Sequence, residues 1–139
     1  MLRINPFLLF DGNCAEAMSF YHQCFGGDLT VTKLGDSEMK DQLPPEKHDR
    51  VIYANLKSDR IEISATDWMA APEFEPKRGN MFSLFVVANK GEEIKEIFDK
   101  LAVRAEAERF QELHDLPIGT YGQFTDRYGV QWIFLKEKD

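Results

Sequence analysis

An internal repeat constrains the fold of this chain more than any other feature of its sequence. A shift of 76 positions aligns Asn13 with Asn89, and each is followed three residues later by a glutamate. The run 119–135 matches the run 50–66 at an offset of about 70. Self-similarity at a fixed period indicates one supersecondary unit that is used more than once. We therefore predict the order strand–helix–strand–strand–strand, taken twice.

The first half is predicted to form one strand, one helix and three further strands. Its helix is expected over Cys14–Phe25, because apolar residues recur there at helical spacing. Asn13 and Glu16 have the spacing of a capping box, and Gly26 is a typical helix terminator. The strands are expected at Asn5–Phe10, Asp28–Leu34, Arg50–Leu56 and Arg60–Thr66, with a loop at Gly35–Asp49.

The second half repeats this order. We expect a strand at Met81–Val87, a helix capped by Asn89 and a closing hairpin over 119–135. Segment 105–116 is ambiguous, because its composition favours a helix whereas the repeat requires a strand within it. We predict the strand, since tertiary pairing often overrides propensity. The expected organisation is a single domain with module one at about 1–67, a linker at about 68–80 and module two at about 81–139.

Charge and composition exclude several classes of partner. The net charge is −7, the pI is near 5.0 and no basic run stands out, which disfavours nucleic acid and anionic membranes. No apolar run approaches the roughly 20 residues that span a bilayer, and the N-terminus lacks signal-peptide features. Cys14 and Cys24 lie nearly three turns apart on the predicted helix, too far to pair. We therefore expect a cytoplasmic protein with no nucleic-acid or membrane partner.

Two motifs carry a family likeness. The run PFLLFDGNCAEAMSFYHQCFGGDL resembles the opening of the PhnB-like proteins, with a Pro-containing strand, a Gly-Asn turn and a final Phe-Gly-Gly. The run FTDRYGVQWIF resembles the closing hairpin of the same family. These proteins belong to the glyoxalase/bleomycin-resistance/extradiol dioxygenase group, the vicinal oxygen chelate superfamily. The resemblance implies an α+β fold of two βαβββ modules in tandem, each curling its sheet into a half-barrel, and it implies a homodimer.

The resemblance also bears on a metal site. Active members of that superfamily usually bind one divalent metal through His, Glu or Gln on the first and last strands of each module. Carried over to this sequence, the pattern offers Glu62, more weakly Ser64, and Gln131; Tyr53 stands where many relatives have a histidine. One carboxylate and one amide fall short of the three or more ligands that a stable divalent site requires. We therefore expect no metal and no cofactor.

Aromatic residues are the stronger functional clue. The chain has 11 Phe, and many of its rings fall on predicted strands, whose side chains alternate between the two faces of a sheet. We expect one face to line an apolar cleft that binds a small organic molecule, although the same rings would also suit a filled barrel or a dimer interface. The pocket candidates are Tyr53, Glu62, Trp68, Tyr121, Gln123, Gln131 and Trp132.

Three classes of function stay open at this point. The favoured one is a small-molecule binding or sequestering protein, like the bleomycin-resistance branch. The alternative is a divalent-metal-dependent lyase, isomerase or dioxygenase of the vicinal oxygen chelate type, and a third is a structural or interaction module. The sequence contains no GxSxG, HExxH or CxxC motif. No S-adenosylmethionine-type glycine loop follows the first strand, so the sequence does not support the methyltransferase chemistry with which some relatives are labelled.

Several other side chains have a structural explanation beside a functional one. Cys14 is a candidate nucleophile, because the N-terminus of a helix lowers the pKa of a thiol. His114 is a candidate base if it faces a pocket, whereas His22 and His48 are expected to be exposed. The 126–129 turn contains an acid, a base and a phenol, but Asp at the start and Gly at the end are ordinary hairpin chemistry.

Overall fold

Each half of the chain folds as one βαβββ module in the computed structural model, which describes residues 1–138. The chain divides into two units, Met1–Lys77 (unit one) and Arg78–Asp139 (unit two), at a point inside the predicted linker. The α+β fold class is confirmed, with two modules in tandem that each carry an open four-stranded sheet. Within the described residues, no helix has both the length and the hydrophobicity that a bilayer span requires.

Unit one contains five main elements: β1 Phe7–Phe10, α1 Cys14–Phe25, β2 Asp28–Lys33, β3 Val51–Lys57 and β4 Glu62–Asp67. Its sheet has the order β1-β4-β3-β2, in which β1 runs parallel to β4 and the other neighbours are antiparallel. Between β2 and β3 the chain makes three short 3-10 turns, at 34–36, 40–42 and 45–47.

Helix α1 forms where it was predicted, because one side of it packs against this sheet. Six of its residues are buried: Cys14, Ala17, Met18, Phe20, Tyr21 and Cys24. The helix contacts β2, β3 and β4, and the buried residues Leu56 and Ile63 pair across β3 and β4 on that side. Each large apolar side chain that is buried in this way stabilises the fold by about 1.5–3 kcal/mol.

The predicted capping boxes are wrong in both units. Asn13 sits at the N-cap of α1 but makes no side-chain cap hydrogen bond, and the Cys14 N–H donates instead to Asp67 Oδ1 at 3.0 Å. In unit two the N-cap residue is Lys90 rather than Asn89, again without a side-chain cap. A buried carboxylate delivered by β4 therefore replaces the local cap of α1.

Unit two repeats the topology: β5 Leu84–Ala88, α2 Gly91–Leu101, β6 Gln111–Leu116, β7 Gly119–Thr125 and β8 Gln131–Glu137. The sheet order is β5-β8-β7-β6, with β5 parallel to β8. Strand β6 confirms the strand predicted within 105–116, because pairing with β7 overrides the local helix propensity. Arg104 and Arg109, before β6, adopt left-handed conformations with φ of 60° and 63°.

Aromatic rings fill the core between α2 and the second sheet. Phe98 lies at the centre, with ring centroids 4.9 Å from Phe124, 5.0 Å from Phe134 and 5.8 Å from Phe110. A Cβ at Gly122 would lie 2.9 Å from Phe98 Cε2, so a side chain there would push the helix away from β7. Part of the aromatic set noted in the sequence is therefore core.

Candidate functional site

The side of the first sheet opposite α1 is the best-formed candidate site of unit one. Asn55 and Phe7 are both register partners of Ser64, and strand side chains alternate, so these residues lie on the side away from Leu56. We call this surface the first open face. It is formed by Phe7, Leu9, Tyr53, Asn55, Glu62, Ser64 and Thr66.

Polar side chains on the first open face form one connected hydrogen-bond chain. Asn55 Nδ2 donates to Glu62 Oε2 and to Ser64 Oγ, both at 3.0 Å. Tyr53 Oη lies 3.2 Å from Ser64 Oγ, and Arg3 Nη1 lies 3.2 Å from Glu62 Oε1. Linked hydrogen bonds of this kind polarise one another and hold the head groups in place. The face therefore presents preorganised polar atoms.

Glu62 is the negatively charged group of this hydrogen-bond chain. The hydrogen bond from Asn55 is the main reason that the pKa of Glu62 lies below its ordinary value of 4.5. The positive charges of Arg3 and Lys57 lower this pKa further, and desolvation offsets part of the effect. Glu62 is consequently a carboxylate at neutral pH, able only to accept hydrogen bonds.

Apolar side chains lie beside this hydrogen-bond chain on the first open face. Phe7 is 59% exposed, Leu9 is 41% exposed and Tyr53 is 42% exposed. The rings of Phe7 and Tyr53 lie 6.4 Å apart at an angle of 44°. The first open face thus combines fixed polar atoms with uncovered apolar surface, which is the usual composition of a site for a small organic ligand.

Sequence reasoning identified Tyr53 and Glu62, which the structure brings together, but it missed Asn55 and Arg3. The sequence does contain a signal for Asn55, because Tyr53, Asn55 and Lys57 alternate in β3 with the buried Ala54 and Leu56. Such a polar–apolar alternation places the three polar residues on one face.

Unit two has a second open face, opposite α2. Its main residues are Phe85, Val87, Tyr121, Gln123, Gln131, Ile133 and Leu135. Tyr121 Oη donates to Gln123 Oε1 at 2.8 Å, so this phenol already has an internal acceptor. Phe85 is 60% exposed. The second open face is more apolar than the first, and its pocket candidates Tyr121, Gln123 and Gln131 all lie on it.

Gln131 also borders a polar cleft of about 400 Å³ in unit two. The cleft is lined by Arg78, Gly79, Asn80, Glu106, Glu108, Arg109, Thr125, Gly129 and Gln131. Gln131 Nε2 donates to the Gly79 carbonyl at 2.6 Å, and Arg78 forms an ion pair with Glu106. These internal contacts hold the start of unit two against the segment between α2 and β6 and against the start of β8.

Trp132 lies on the opposite side of the sheet from Gln131, the residue before it on β8. It is only 2% exposed and its ring stacks near Phe134 on the side of the sheet that faces α2. Its Nε1 donates to Asp126 Oδ2 at 2.8 Å, and Asp126 Oδ1 accepts from the N–H groups of Tyr128 and Val130. The structure therefore places Trp132 in the core, and the fully buried Asp126 serves the hairpin turn, as the structural explanation predicted.

Trp68 follows directly after the end of β4. Its Nε1 donates to the Ala71 carbonyl at 2.8 Å, and Lys47 Nζ lies 5.6 Å from the centre of its ring. The ring is half-buried. Its contacts in unit one hold the turn that leaves the sheet.

The three histidines each contact a backbone carbonyl. His22 Nε2 lies 3.0 Å from the Gly27 oxygen, His48 Nε2 lies 2.8 Å from the Lys40 oxygen, and His114 Nδ1 lies 2.7 Å from the Glu112 oxygen. A carbonyl only accepts, so in each contact the ring nitrogen is the donor. His22 and His48 are half-buried rather than exposed, whereas His114 is exposed on β6.

Cys14 does not have the properties of a nucleophile. It is fully buried, and burial together with the nearby Asp67 carboxylate raises the pKa of its thiol from 9.0 to about 12. Desolvation therefore outweighs the helix N-terminus that was expected to lower this pKa. At neutral pH the group is a neutral thiol packed in the core of unit one.

Alkaline pH is expected to destabilise unit one through Cys14. Above pH 9 the thiol of the unfolded chain ionises, whereas the folded thiol stays protonated up to about pH 12, so folding stability falls as the pH rises through this window. Relative to Cys14→Ala, the wild type should lose on the order of 1.4 kcal/mol of unfolding free energy per pH unit. Urea unfolding at several pH values measures this slope. Cys14→Ser should behave like Cys14→Ala, and a wild-type slope equal to that of both variants would contradict the expectation.

The first open face does not suit a divalent metal. Glu62 is its one carboxylate, and both of its oxygens already have partners: Oε1 is paired with the Arg3 guanidinium and Oε2 accepts from Asn55. Asn55 turns a donor toward Glu62, and the remaining polar groups of the face, on Tyr53, Ser64 and Thr66, are hydroxyls. Among residues 1–138, no three or more His, Cys, Asp or Glu side chains converge into a metal-binding group. The donor chemistry therefore lacks the set of ligands that a stable site requires.

The turn between β1 and α1 does not form an anion site either. The N–H groups of Gly12 and Cys14 donate to Asp67 Oδ1 at 2.8 and 3.0 Å. Such N–H groups bind a phosphate or carboxylate when they are free at the start of a helix. Here an internal carboxylate occupies them.

Comparison with known proteins agrees with this architecture. Residues 2–135 match the family model described as 3-demethylubiquinone-9 3-methyltransferase. Protein PA1353 from Pseudomonas aeruginosa has a similar structure, with a TM-score of 0.82, 32% identity and full coverage of both chains. A Bacillus cereus structure, described as a putative 3-demethylubiquinone-9 3-methyltransferase, PhnB protein, has a TM-score of 0.70 at 27% identity and covers 97% of this chain and 99% of its own.

Two further relatives extend the comparison. Protein YjdN of Escherichia coli strain K12 is 26% identical over 140 residues, which cover 94% of this chain and 92% of that protein. A glyoxylase/bleomycin resistance protein/dioxygenase domain from Frankia sp. EAN1pec shares the fold alone, with a TM-score of 0.66 at 13% identity over 99% of this chain and 98% of that one. The chain therefore belongs to the PhnB-like family, whose model carries the 3-demethylubiquinone-9 3-methyltransferase description.

Proposed function

We propose that this protein binds a small organic molecule on the first open face, without a full metal site. The observation that carries the proposal is the hydrogen-bond chain from Tyr53 through Ser64 and Asn55 to Glu62, beside the uncovered ring of Phe7. A ligand that covers Phe7 and Leu9 removes apolar surface from water, which favours binding by about 25 cal/mol per Å². The polar chain then orients the ligand.

The fixed geometry of this hydrogen-bond chain supports binding in a second way. Rotamers that are already held by hydrogen bonds lose little further freedom when a ligand arrives, so less of the interaction free energy is offset by ordering. Tyr53 and Glu62 are the ligand-contacting residues in this proposal; Asn55 holds Glu62 directly and Tyr53 through Ser64. Tyr121, Gln123 and Gln131 lie in the other unit, so the proposed site does not include them. The predicted homodimer and cytoplasmic location stay predictions.

Amide chemical-shift mapping with a library of small aromatic and carbonyl compounds tests the proposal. Binders should shift the amide signals of β1, β3 and β4. Asn55→Ala removes the donor that holds both Glu62 and Ser64, and it should weaken these binders about tenfold. Gln123→Ala is the matched control, because it removes the amide beside the tyrosine of the second open face. Loss of binding in Gln123→Ala with retention in Asn55→Ala would contradict the proposal, as would a library without any binder at β1, β3 or β4.

Metal analysis separates this proposal from the metal-dependent enzymes of the superfamily. The protein is equilibrated with manganese, zinc, iron or nickel, dialysed, and analysed for bound metal. We expect clearly less than one metal per chain. One metal per chain that is lost in Glu62→Gln but kept in Glu108→Gln would contradict the proposal, because it would place a metal at the first open face.

A further inference from the structure

The hydroxyl groups of the first open face have a defined direction of hydrogen bonding. Glu62 is a carboxylate, so Asn55 must turn its Nδ2 toward it, and the second hydrogen of that group reaches Ser64 Oγ at 3.0 Å. Ser64 Oγ thus already accepts one hydrogen bond. Ser64 is only 5% exposed, so its own hydrogen needs a partner inside the protein.

Tyr53 supplies that partner. Its Oη lies 3.2 Å from Ser64 Oγ, and in the described part of the chain it is the one acceptor found for the Ser64 hydroxyl. When Ser64 donates to Tyr53, the phenolic hydrogen of Tyr53 is not used in that bond and can be donated to another group. Tyr53 is 42% exposed on the open face, so this hydrogen is directed to whatever covers the face. Because Ser64 accepts from Asn55 while it donates to Tyr53, the Tyr53 O–H is a strengthened donor.

We infer that the Tyr53 phenol is the donor that selects the ligand, and that the ligand is a compound with a carbonyl-type oxygen on a flat apolar body. This inference rests on the proposed function and adds the class of ligand. The oxygen accepts from Tyr53 Oη–H, and the apolar body covers the ring of Phe7, whose centroid is 6.4 Å from that of Tyr53. Glu62 disfavours a carboxylate in the same place, because two like charges repel each other on a partly desolvated surface.

Tyr121 shows by contrast why Tyr53 is singled out. Tyr121 also stands on an open sheet face, but its hydroxyl donates to Gln123 Oε1 at 2.8 Å. That phenolic hydrogen is already used within the protein. The two tyrosines therefore form a matched pair in which one donor is available and the other is not.

Two probes of equal shape test the inference. Acetophenone has a carbonyl oxygen on a flat aromatic body, and α-methylstyrene replaces that oxygen by a CH₂ group. Titration followed by amide chemical shifts of β1, β3 and β4 gives both dissociation constants. The wild type should prefer acetophenone by about three- to tenfold, which is the usual contribution of one neutral hydrogen bond. Tyr53→Phe should abolish the preference, and Tyr121→Phe should keep it.

The outcomes also separate this inference from the proposed function. If both probes bind the first open face equally well, or if Tyr53→Phe keeps the preference, the selecting role of Tyr53 is overturned while small-molecule binding at the face stands. If neither probe nor any library compound shifts β1, β3 or β4, the proposed function fails as well. Benzoate serves as a third probe, and tighter binding of benzoate than of acetophenone would overturn the neutral ligand class.

Discussion

Replacing Asp67 with alanine is expected to lower the free energy of unfolding of unit one by about 4 kcal/mol or more. Asp67 is 1% exposed, and its carboxylate accepts from three backbone N–H groups, those of Gly12, Cys14 and Val51, at 2.8–3.0 Å. The variant leaves these donors without a charged acceptor, and each buried donor without a partner costs about 1–3 kcal/mol. A single domain is typically stable by only about 5–15 kcal/mol, so the loss should be plain in urea unfolding followed by amide signals of unit one.

Asp11→Ala is the matched control for this prediction. Asp11 also lies next to the start of α1, but its side chain is 52% exposed and its partner is the Arg50 guanidinium at 2.7 Å. An exposed ion pair contributes less than about 1 kcal/mol, so this variant should remain close to the wild type. Equal losses of unfolding free energy in Asp67→Ala and Asp11→Ala would show that the buried carboxylate contributes no more to the stability of unit one than an exposed ion pair does.

Phe98→Ala is expected to have a comparable effect in unit two. Phe98 is 4% exposed and its ring contacts three other phenyl rings, so truncation removes buried apolar surface and leaves a cavity among them. Substitutions of this kind cost about 3–5 kcal/mol. Thermal or urea unfolding measured through amide signals of β7 and β8 gives the size of the loss.

Phe85→Ala tests whether position rather than residue type causes that loss. Phe85 lies on β5 in the same unit, but it is 60% exposed on the second open face. Its removal should change the free energy of unfolding by less than about 1 kcal/mol. A loss in Phe85→Ala as large as that in Phe98→Ala would mean that the face is covered, contrary to the exposure described above.

The order and type of the elements follow from local patterns in the sequence, whereas the contacts between distant segments do not. The bounds of α1 were predicted from its apolar spacing, and β6 was predicted from the repeat against its own composition. The cap of α1 was predicted wrongly because the acceptor for the Cys14 N–H, Asp67, is 53 positions away. Spacing within one segment carries no information about such a contact.

The candidate site was predictable to a similar extent. Tyr53 and Glu62 were named and stand on one hydrogen-bonded chain, but the role of Asn55 depends on the register between β3 and β4. Gln131 and Trp132 are neighbours on one strand, so alternation allowed only one of them on the open face. Which one it is depends on the sheet register, since a shift by one residue moves every side chain to the other face.

The position of Asp67 also determines how unit one can assemble. Helix α1 has no cap from its own sequence, so its first turn is complete only when the end of β4 has come alongside β1 and β3. The Cys14 contact closes a loop of 53 positions, which places it among the slow, non-local steps of folding. Helix and sheet therefore reach their full stability together, and unit one has little scope to lose its helix while it keeps its sheet.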